Sequence, residues 1–317
     1  TEGLISKMEL RDSLLYCADI YNGLRIFNIR SLNNIREIGR LSGPGGFFPG
    51  YRRIYIHETL AYVSNSCRSP DTLEIIDIRD PRNLRRIGKF ELSRGRLNDI
   101  VVQNGRAYIA NTWDGLWIID ISNPRNPYLL GSWRPNLESY VEYVLVKDSL
   151  AYVNNYDTIH ILNISQPQNI RELGKLRALI RPPLTETEID CLILSETLLY
   201  VGGGGYSPHV INVSNPRNPY HTYHRHDGVT YIFLKDSLLF ARSAFYGFMV
   251  YDITNPFSWR ILSKFGLPST TEQVVPVPGD SLVVIGEWHH GLFILDITNP
   301  TCPRDRGGYP VKFLMDT

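Results

Sequence analysis

The chain has 317 residues, of which 43% are hydrophobic and 21% are charged, ordinary values for a globular protein. Lys and Arg number 33 and Asp and Glu number 32, so the formal net charge is +1. This balance argues against a broadly basic nucleic-acid-binding surface. No apolar run approaches the ~20 residues needed to span a bilayer. Four cysteines are too few for a disulfide scaffold, and the lack of CxxC spacing argues against a cysteine zinc site.

One pattern recurs seven times along the chain. Its best copies read GLWIIDISNP from Gly115 and GLFILDITNP from Gly291. A second apolar block, such as DSLAYVN from Asp148, lies upstream of each copy and begins with a tight-turn pair, a hairpin signal. A further apolar run precedes that block, and another strand follows the Asn-Pro turn. Each repeat therefore contains four short strands, and no stretch shows a helical period.

In chain order the seven units span residues 4–41, 51–90, 97–134, 141–176, 189–223, 229–264 and 272–314. Four strands in each of seven units predict an all-β, seven-bladed β-propeller of four antiparallel strands per blade, with residues 1–317 as a single domain. A parallel β-helix is the alternative, but its rungs are shorter and lack the recurrent hairpin. The first unit begins with its own innermost strand and the last ends with its own outermost strand, so we expect no strand exchange between them.

The repeated GLxIIDISNP block, with the LAYVA-like block upstream, resembles the LVIVD-repeat family. The resemblance implies propeller-type repeats and a secreted or cell-surface location in bacteria or archaea. It implies no activity, because the family has no common catalytic motif. This chain departs from the pattern with Asn28, Asn163 and Asn212 in place of Asp, and with Arg30-Ser31-Leu32 in place of the Ser-Asn-Pro turn.

Aromatic residues gather in the loops between second and third strands and between blades. Rigid scaffolds often carry function on such loops, and exposed rings suit a protein, a peptide or a glycan. Packing against neighbouring loops is the alternative role. The candidate ligand-binding residues are Tyr21, Phe48, Trp113, Tyr156, Tyr206, Tyr246 and Trp288.

A set of polar residues occupies one predicted register of the innermost strands. Counting six residues back from each hairpin, with one extra residue in blade seven, gives Ser6, Arg52, Asn98, Glu142, Asp190, Thr230 and Gln273. An apolar residue follows two positions later, so strand alternation predicts a polar mouth of the central channel. We expect Arg52, Asn98, Glu142, Asp190 and Gln273 to line it. A solvated mouth without a ligand is the alternative, and Glu142 with Asp190 could also coordinate Ca²⁺.

Three histidines lie between blades five and six, in HTYHRHD from His221. Within one strand His224 and His226 would point the same way and could chelate a transition metal, although solvated histidines are the default. We predict no resident cofactor, with Ca²⁺ or a transition metal as the alternative. Nucleophile-elbow and phosphate-loop motifs are absent from the sequence.

Three functions fit these residues. The first is a non-enzymatic secreted or cell-surface binding scaffold for a protein, peptide or glycan. The second is a metal-assisted hydrolase or lyase with its site at the channel mouth. The third is a structural module that associates with copies of itself.

Overall fold

A computed structural model describes residues 4–31, 34–43, 50–65, 71–136, 139–178, 189, 191–203, 207–243, 245–266, 271–277, 281–287 and 291–310. The chain is an all-β, seven-bladed β-propeller with four antiparallel strands in each blade, as predicted. The β-helix alternative is therefore wrong. The described blade limits differ from the predicted limits by at most three residues, and the predicted end of blade seven at residue 314 lies outside the described residues. The division of the chain into a single domain stays a prediction.

The described chain divides into two compact units. The first comprises Thr1–Arg94, Asn123–Asn126 and Pro268–Thr317 and holds blades one, two and seven. Blade one contains β1 (Ile5–Arg11), β2 (Leu14–Asp19), β3 (Gly23–Asn28) and β4 (Arg36–Leu41). Blade two contains β5 (Arg53–His57), β6 (Leu60–Asn65), β7 (Thr72–Asp77) and β8 (Arg85–Glu91). Blade seven contains β25 (Thr271–Pro276), β26 (Leu282–Glu287), β27 (Gly291–Asp296) and β28 (Arg304–Pro310).

The second unit comprises Gly95–Ser122 and Pro127–Leu267 and holds blades three to six. Blade three contains β9 (Leu97–Gln103), β10 (Arg106–Asn111), β11 (Gly115–Asp120) and β12 (Tyr128–Trp133). Blade four contains β13 (Val144–Lys147), β14 (Leu150–Asn155), β15 (Thr158–Asn163) and β16 (Arg171–Arg177). Blade five contains β17 (Cys191–Ser195), β18 (Leu198–Gly202), β19 (His209–Asn212) and β20 (Tyr220–His224). Blade six contains β21 (Val229–Lys235), β22 (Leu238–Ser243), β23 (Gly247–Asp252) and β24 (Arg260–Phe265).

The tight first hairpin is present in the blades whose turn is described. Its first turn residue takes a left-handed φ of 50–54° in blades one to six, at Asp12, Glu58, Asn104, Asp148, Glu196 and Asp236. Asp and Asn tolerate this conformation better than most residues, because their short polar side chains can bond locally. The Asp-Ser and Asn-Gly pairs therefore mark these hairpins for a physical reason.

A side-chain acceptor fixes the end of every third strand. The Oδ1 atom of the Asp or Asn accepts the backbone N–H two residues later in all seven blades, at Asn28, Asp77, Asp120, Asn163, Asn212, Asp252 and Asp296. Either residue type supplies that oxygen, so the three Asn departures leave this turn bond intact. In blade one the Asn34 N–H donates to the Ser31 carbonyl at 2.9 Å, matching the Asn126-to-Asn123 bond of blade three at 3.0 Å. Ser31, which departs from the usual turn sequence, thus keeps the turn's backbone hydrogen bond.

Blades one and seven are each built from consecutive strands, so no strand is exchanged between them, as predicted. A buried amide from blade seven replaces such an exchange. The Met8 N–H donates to Gln273 Oε1 at 2.6 Å, and Gln273 Nε2 donates to the Met8 carbonyl at 3.1 Å. The side chain therefore satisfies both backbone groups of one β1 residue, as a neighbouring strand would.

A glycine in the fourth strand lies against the proline of the turn between the third and fourth strands of the next blade. It recurs at Gly39, Gly88, Gly131 and Gly174. A Cβ built on Gly131 would lie 1.9 Å from the Pro167 carbonyl oxygen. No side chain fits at that distance, so these glycines set the approach of adjacent blades.

Apolar side chains from adjacent blades form the cores of both units. In the second unit, for example, Ile118 of blade three packs with Val153 of blade four. No described segment forms a helix with the length and hydropathy of a membrane span.

Candidate functional site

A buried polar residue ends the second strand in four blades, at Asp19, Asn111, Asn155 and Ser243. Asn111 Oδ1 accepts the Trp113 N–H at 3.2 Å. Ser243 Oγ accepts the Phe245 N–H at 3.1 Å, and Asp19 Oδ1 accepts the Tyr21 N–H at 2.9 Å. These bonds restrain the loop backbone, so presenting the following aromatic residue costs less backbone ordering at binding.

The aromatic residues of these loops are exposed. The exposed fractions are 44% for Tyr21, 49% for Trp113, 52% for Tyr156, 62% for Phe245 and 43% for Tyr246. Exposure of these rings is what the binding interpretation requires and what close packing in the loops would have removed. The other predicted aromatics, Phe48, Tyr206 and Trp288, lie outside the described residues.

Two of these loops meet in the second unit, between blades three and four. Ser139 Oγ donates to the Trp113 carbonyl at 2.7 Å. The next residue, Tyr140, stacks on Tyr156 with ring centroids 5.2 Å apart and planes 18° from parallel. We call Trp113, Tyr140 and Tyr156 the aromatic patch.

Tyr156 is held in a conformation that bulky residues rarely adopt. Its φ is 52°, and every other described non-glycine residue with positive φ is a turn residue of a first hairpin. The Tyr156 N–H donates to the Tyr140 carbonyl at 3.4 Å, and the Tyr140 N–H donates to Asn155 Oδ1 at 2.7 Å. Left-handed strain at a bulky side chain is typical of binding and switch regions. The sequence did not single out Tyr140, whose signal is its place in the loop before β13.

Blade six presents a second pair of aromatic rings. Phe245 and Tyr246 meet edge to face, with centroids 6.3 Å apart. Lys264 Nζ lies 3.5 Å from the centroid of the Tyr246 ring, a cation–π contact. This contact occupies one face of Tyr246 and leaves Phe245 as the more exposed ring.

The predicted polar register of the innermost strands is only partly present. Ser6, Asn98 and Thr230 each occupy a β-bulge, so the strict alternation that the prediction assumed is interrupted there. Asn98 is buried, and its Nδ2 donates to Thr112 Oγ1 at 2.8 Å and to the Val141 carbonyl at 3.0 Å. Its side chain therefore links blades three and four.

The inclusion of Gln273 in that register is wrong. The sequence-based count assumed one extra residue in the first hairpin of blade seven, but the hairpin has two. Gln273 therefore pairs with Gly286 in the register in which Asp99 pairs with Ala110 in blade three. The two residues also act alike: Asp99 Oδ2 accepts the Val144 N–H of the next blade at 3.2 Å, as Gln273 accepts that of Met8. Gln273 is thus an inter-blade link, and Glu272 takes the bulge position.

Arg52 and Glu142 are half-buried at the predicted register. The backbone N–H groups of Glu142 and Tyr143 donate to Asn154 Oδ1 at 3.1 Å and 2.7 Å. Asp190, the second predicted carboxylate, lies outside the described residues. The Ca²⁺ interpretation of this pair and the hydrolase that depends on it stay predictions.

The predicted geometry of His224 and His226 is also wrong. Strand β20 ends at His224, so the two rings do not share a strand face. They meet edge to face, with centroids 5.5 Å apart and planes at 68°. His224 instead pairs across the ladder with His209. Among the described residues, no group of three or more His, Cys, Asp or Glu side chains stands in a metal-binding arrangement.

Comparison with known proteins identifies the repeat. The LVIVD repeat profile matches residues 94–134 and 280–309, which fall in blades three and seven. A search of curated protein sequences found no significant match.

Solved structures share the fold at low sequence identity. The structure of Sqt1 from Saccharomyces cerevisiae is 13% identical with a TM-score of 0.70, covering 98% of this chain and 87% of that one. A complex of KlAtg21 with the coiled coil of AgAtg16 is 12% identical with a TM-score of 0.67, covering 98% of each chain. PorZ of Porphyromonas gingivalis, a surface component of its type-IX secretion system, is 14% identical with a TM-score of 0.64, covering 99% of this chain and 39% of that one.

These matches extend the fold similarity over nearly the whole chain, while the repeat profile identifies two of its blades. The chain is a seven-bladed β-propeller that contains LVIVD repeats.

Proposed function

We propose that this protein is a non-catalytic interaction scaffold that binds a protein or peptide partner through the aromatic patch. The observation that carries the proposal is the fixed, exposed geometry of that patch. Trp113 and Tyr156 are about half exposed, and each is anchored through its backbone by a neighbouring polar group. Trp and Tyr are the residue types most enriched at the energetic centres of protein interfaces.

A protein partner is favoured over other ligands by two considerations. Propeller folds commonly mediate protein interactions. One structure of similar fold is a complex of KlAtg21 with a coiled coil of another protein. This likeness is an analogy at the level of the fold, so the residues of the aromatic patch carry the argument.

The proposal places the protein outside the cell or at its surface. LVIVD repeats are typical of extracellular proteins. The side chains proposed for binding are uncharged, so their contribution does not depend on low ionic strength.

The test is a selection of phage-displayed random peptides on the immobilised protein, followed by affinity measurement. Trp113→Ala with Tyr156→Ala should weaken the selected peptides at least about tenfold, because interface anchors contribute 1–2 kcal/mol or more. The matched control is Tyr128→Ala with Phe257→Ala. Those residues are each 53% exposed, but they follow the Asn-Pro turns at the other end of their blades.

The control variant should bind as the wild type does. Equal loss in both variants, or no enriched peptide, would refute the proposal. A glycan array on the same variants distinguishes the other predicted ligand: glycan binding that depends on Trp113 and Tyr156 would overturn the protein-partner assignment.

A further inference from the structure

One register of the third strand makes a polar contact with the fourth strand in three blades, and in two of them the contact is an ion pair. Arg25 Nη2 lies 2.7 Å from Glu37 in blade one, and Glu74 lies 2.7 Å from Arg86 Nε in blade two. In blade four, His160 Nδ1 lies 2.6 Å from Glu172. In each case a buried polar group on the third strand meets a polar partner on the fourth strand, so the buried group is not left unpaired.

Blade five has histidines at all the corresponding positions. His209 pairs across the ladder with His224, as His160 pairs with Lys175. His221 occupies the position that Glu172 has in blade four. The acid that pairs the blade-four histidine is therefore replaced by another imidazole.

These rings stand close together. The His209 centroid is 6.2 Å from that of His221 and 6.3 Å from that of His224. His226 extends the group, 5.5 Å from His224. His209 is buried, with 4% of its surface exposed, whereas His224 and His226 reach solvent.

Two nitrogens of this group are buried and have no hydrogen-bond partner among the described residues: Nδ1 of His209 and Nδ1 of His221. His221 Nε2 contacts the Arg177 carbonyl at 2.9 Å. A carbonyl can only accept, so Nε2 carries the proton and Nδ1 of His221 holds a lone pair. A buried polar atom left unpartnered costs about 1–3 kcal/mol, so a missing ligand is expected there.

We propose that His209, His221 and His224 form a binding site for a divalent transition metal, with Zn²⁺ as the reference ion. Imidazole nitrogen suits Zn²⁺, Cu²⁺ and Ni²⁺, and a metal-bound His commonly donates its other N–H to a carbonyl, as His221 does to Arg177. The exposed His224 supplies an entry route from solvent.

As they stand, the three rings are not in a metal-binding arrangement, so the side chains must close on the ion. Zn–N bonds of about 2.1 Å in tetrahedral geometry bring ring centroids to about 5 Å, so His221 and His224 must each approach His209 by about 1 Å. His224 is exposed at the end of β20 and has room to turn.

The experiment is calorimetric titration of tag-free, chelator-treated protein with Zn²⁺, repeated with Ca²⁺. One Zn²⁺ per chain should bind at pH 7.5, and Ca²⁺, which prefers oxygen ligands, should not bind these residues. His224→Ala should weaken Zn²⁺ binding at least about tenfold, because losing even a hydrogen-bond partner of a metal ligand typically costs that much affinity. This residue is exposed, so the variant should fold.

His221→Gln provides an independent variant, and its melting temperature without metal shows whether it folds. The matched control is His57→Ala, a half-buried histidine at the end of β5 in the first unit. The control should bind Zn²⁺ as the wild type does. No binding, or binding that neither His224→Ala nor His221→Gln weakens, would overturn the site.

Discussion

Adding a methyl group at Gly131 should separate two blades that the fold holds in contact. The Cβ of an alanine there would lie 1.9 Å from the Pro167 oxygen and 2.7 Å from its carbonyl carbon. Ordinary contact between carbon and oxygen needs about 3.3 Å, so the strand and the turn must move apart by more than 1 Å. Both atoms at the obstacle belong to the backbone, which cannot rotate away.

Overpacking of this kind typically costs 1–3 kcal/mol, and the backbone obstacle places Gly131→Ala at about 3 kcal/mol. The equivalent Gly174→Ala should cost less, because its Cβ would lie 2.3 Å from the Pro216 oxygen. The assay is urea unfolding followed by tryptophan fluorescence, with the thermal midpoint as a second readout.

Gly266→Ala is the matched control. It follows β24, its φ is not left-handed, and no atom of the described residues lies within 4 Å of its added Cβ. It should stay within about 0.5 kcal/mol of the wild type. The reasoning about blade contacts is refuted if Gly131→Ala also stays within that limit.

Three further outcomes follow from the hydrogen bonds and burial. Asp120→Asn should leave the free energy of unfolding nearly unchanged, whereas Asp120→Ala should cost about 1 kcal/mol, because only the second loses the acceptor for the Ser122 N–H; equal costs in urea unfolding would contradict the acceptor role. Gln273→Leu should lower the free energy of unfolding by about 2–4 kcal/mol, because it leaves the Met8 N–H and carbonyl unpaired. Gln273→Glu keeps one of the two hydrogen bonds and should cost less. A smaller cost for Leu than for Glu would contradict the inter-blade role of Gln273. Burial lowers the pKa of His160, although Glu172 opposes this shift. The stabilising contribution of the neutral ring is therefore complete above the unfolded pKa of about 6.5 and is lost as pH falls towards the lower folded pKa. The difference in unfolding free energy between wild type and His160→Gln should change as pH falls below about 6.5, and a pH-independent difference would contradict this prediction.

The sequence predicts the blades well because each signal is local and repeated. The hairpin pairs, such as Asn104-Gly105, act through their own φ angles. The strand-ending Asp120 acts through a bond to its own turn. Such signals do not depend on where the rest of the chain lies, so they can be read without a structure.

The candidate sites were less predictable because they depend on register and on contacts between blades. One uncounted residue in the first hairpin of blade seven moved Gln273 from a supposed channel position to a bond with Met8. The bulge at Asn98 broke the alternation on which the polar register depended. Strands tolerate such insertions locally, and each one changes the face that a side chain occupies.

In the aromatic patch and the histidine group, some members could be chosen from the sequence and others only from contacts in the fold. Trp113 and Tyr156 could be chosen from their loops, but Tyr140 joins them only through a stacking contact from the loop between blades. His221 and His224 stand in one short segment, while His209 is brought to them by the ladder between β19 and β20. The glycine that recurs in the fourth strands of blades one to four is visible in the sequence, but its role depends on its contact with the next blade.

The central claim is that a partner docks on the aromatic patch, and fluorine NMR of protein labelled with 5-fluorotryptophan tests it most directly. The chain has five tryptophans, so the spectrum is simple, and Trp113→Phe assigns the resonance of Trp113. On addition of a selected peptide, that resonance should shift or broaden, while those of the buried Trp117 and Trp259 should stay in place. A bound peptide that leaves the Trp113 resonance unchanged would contradict the account.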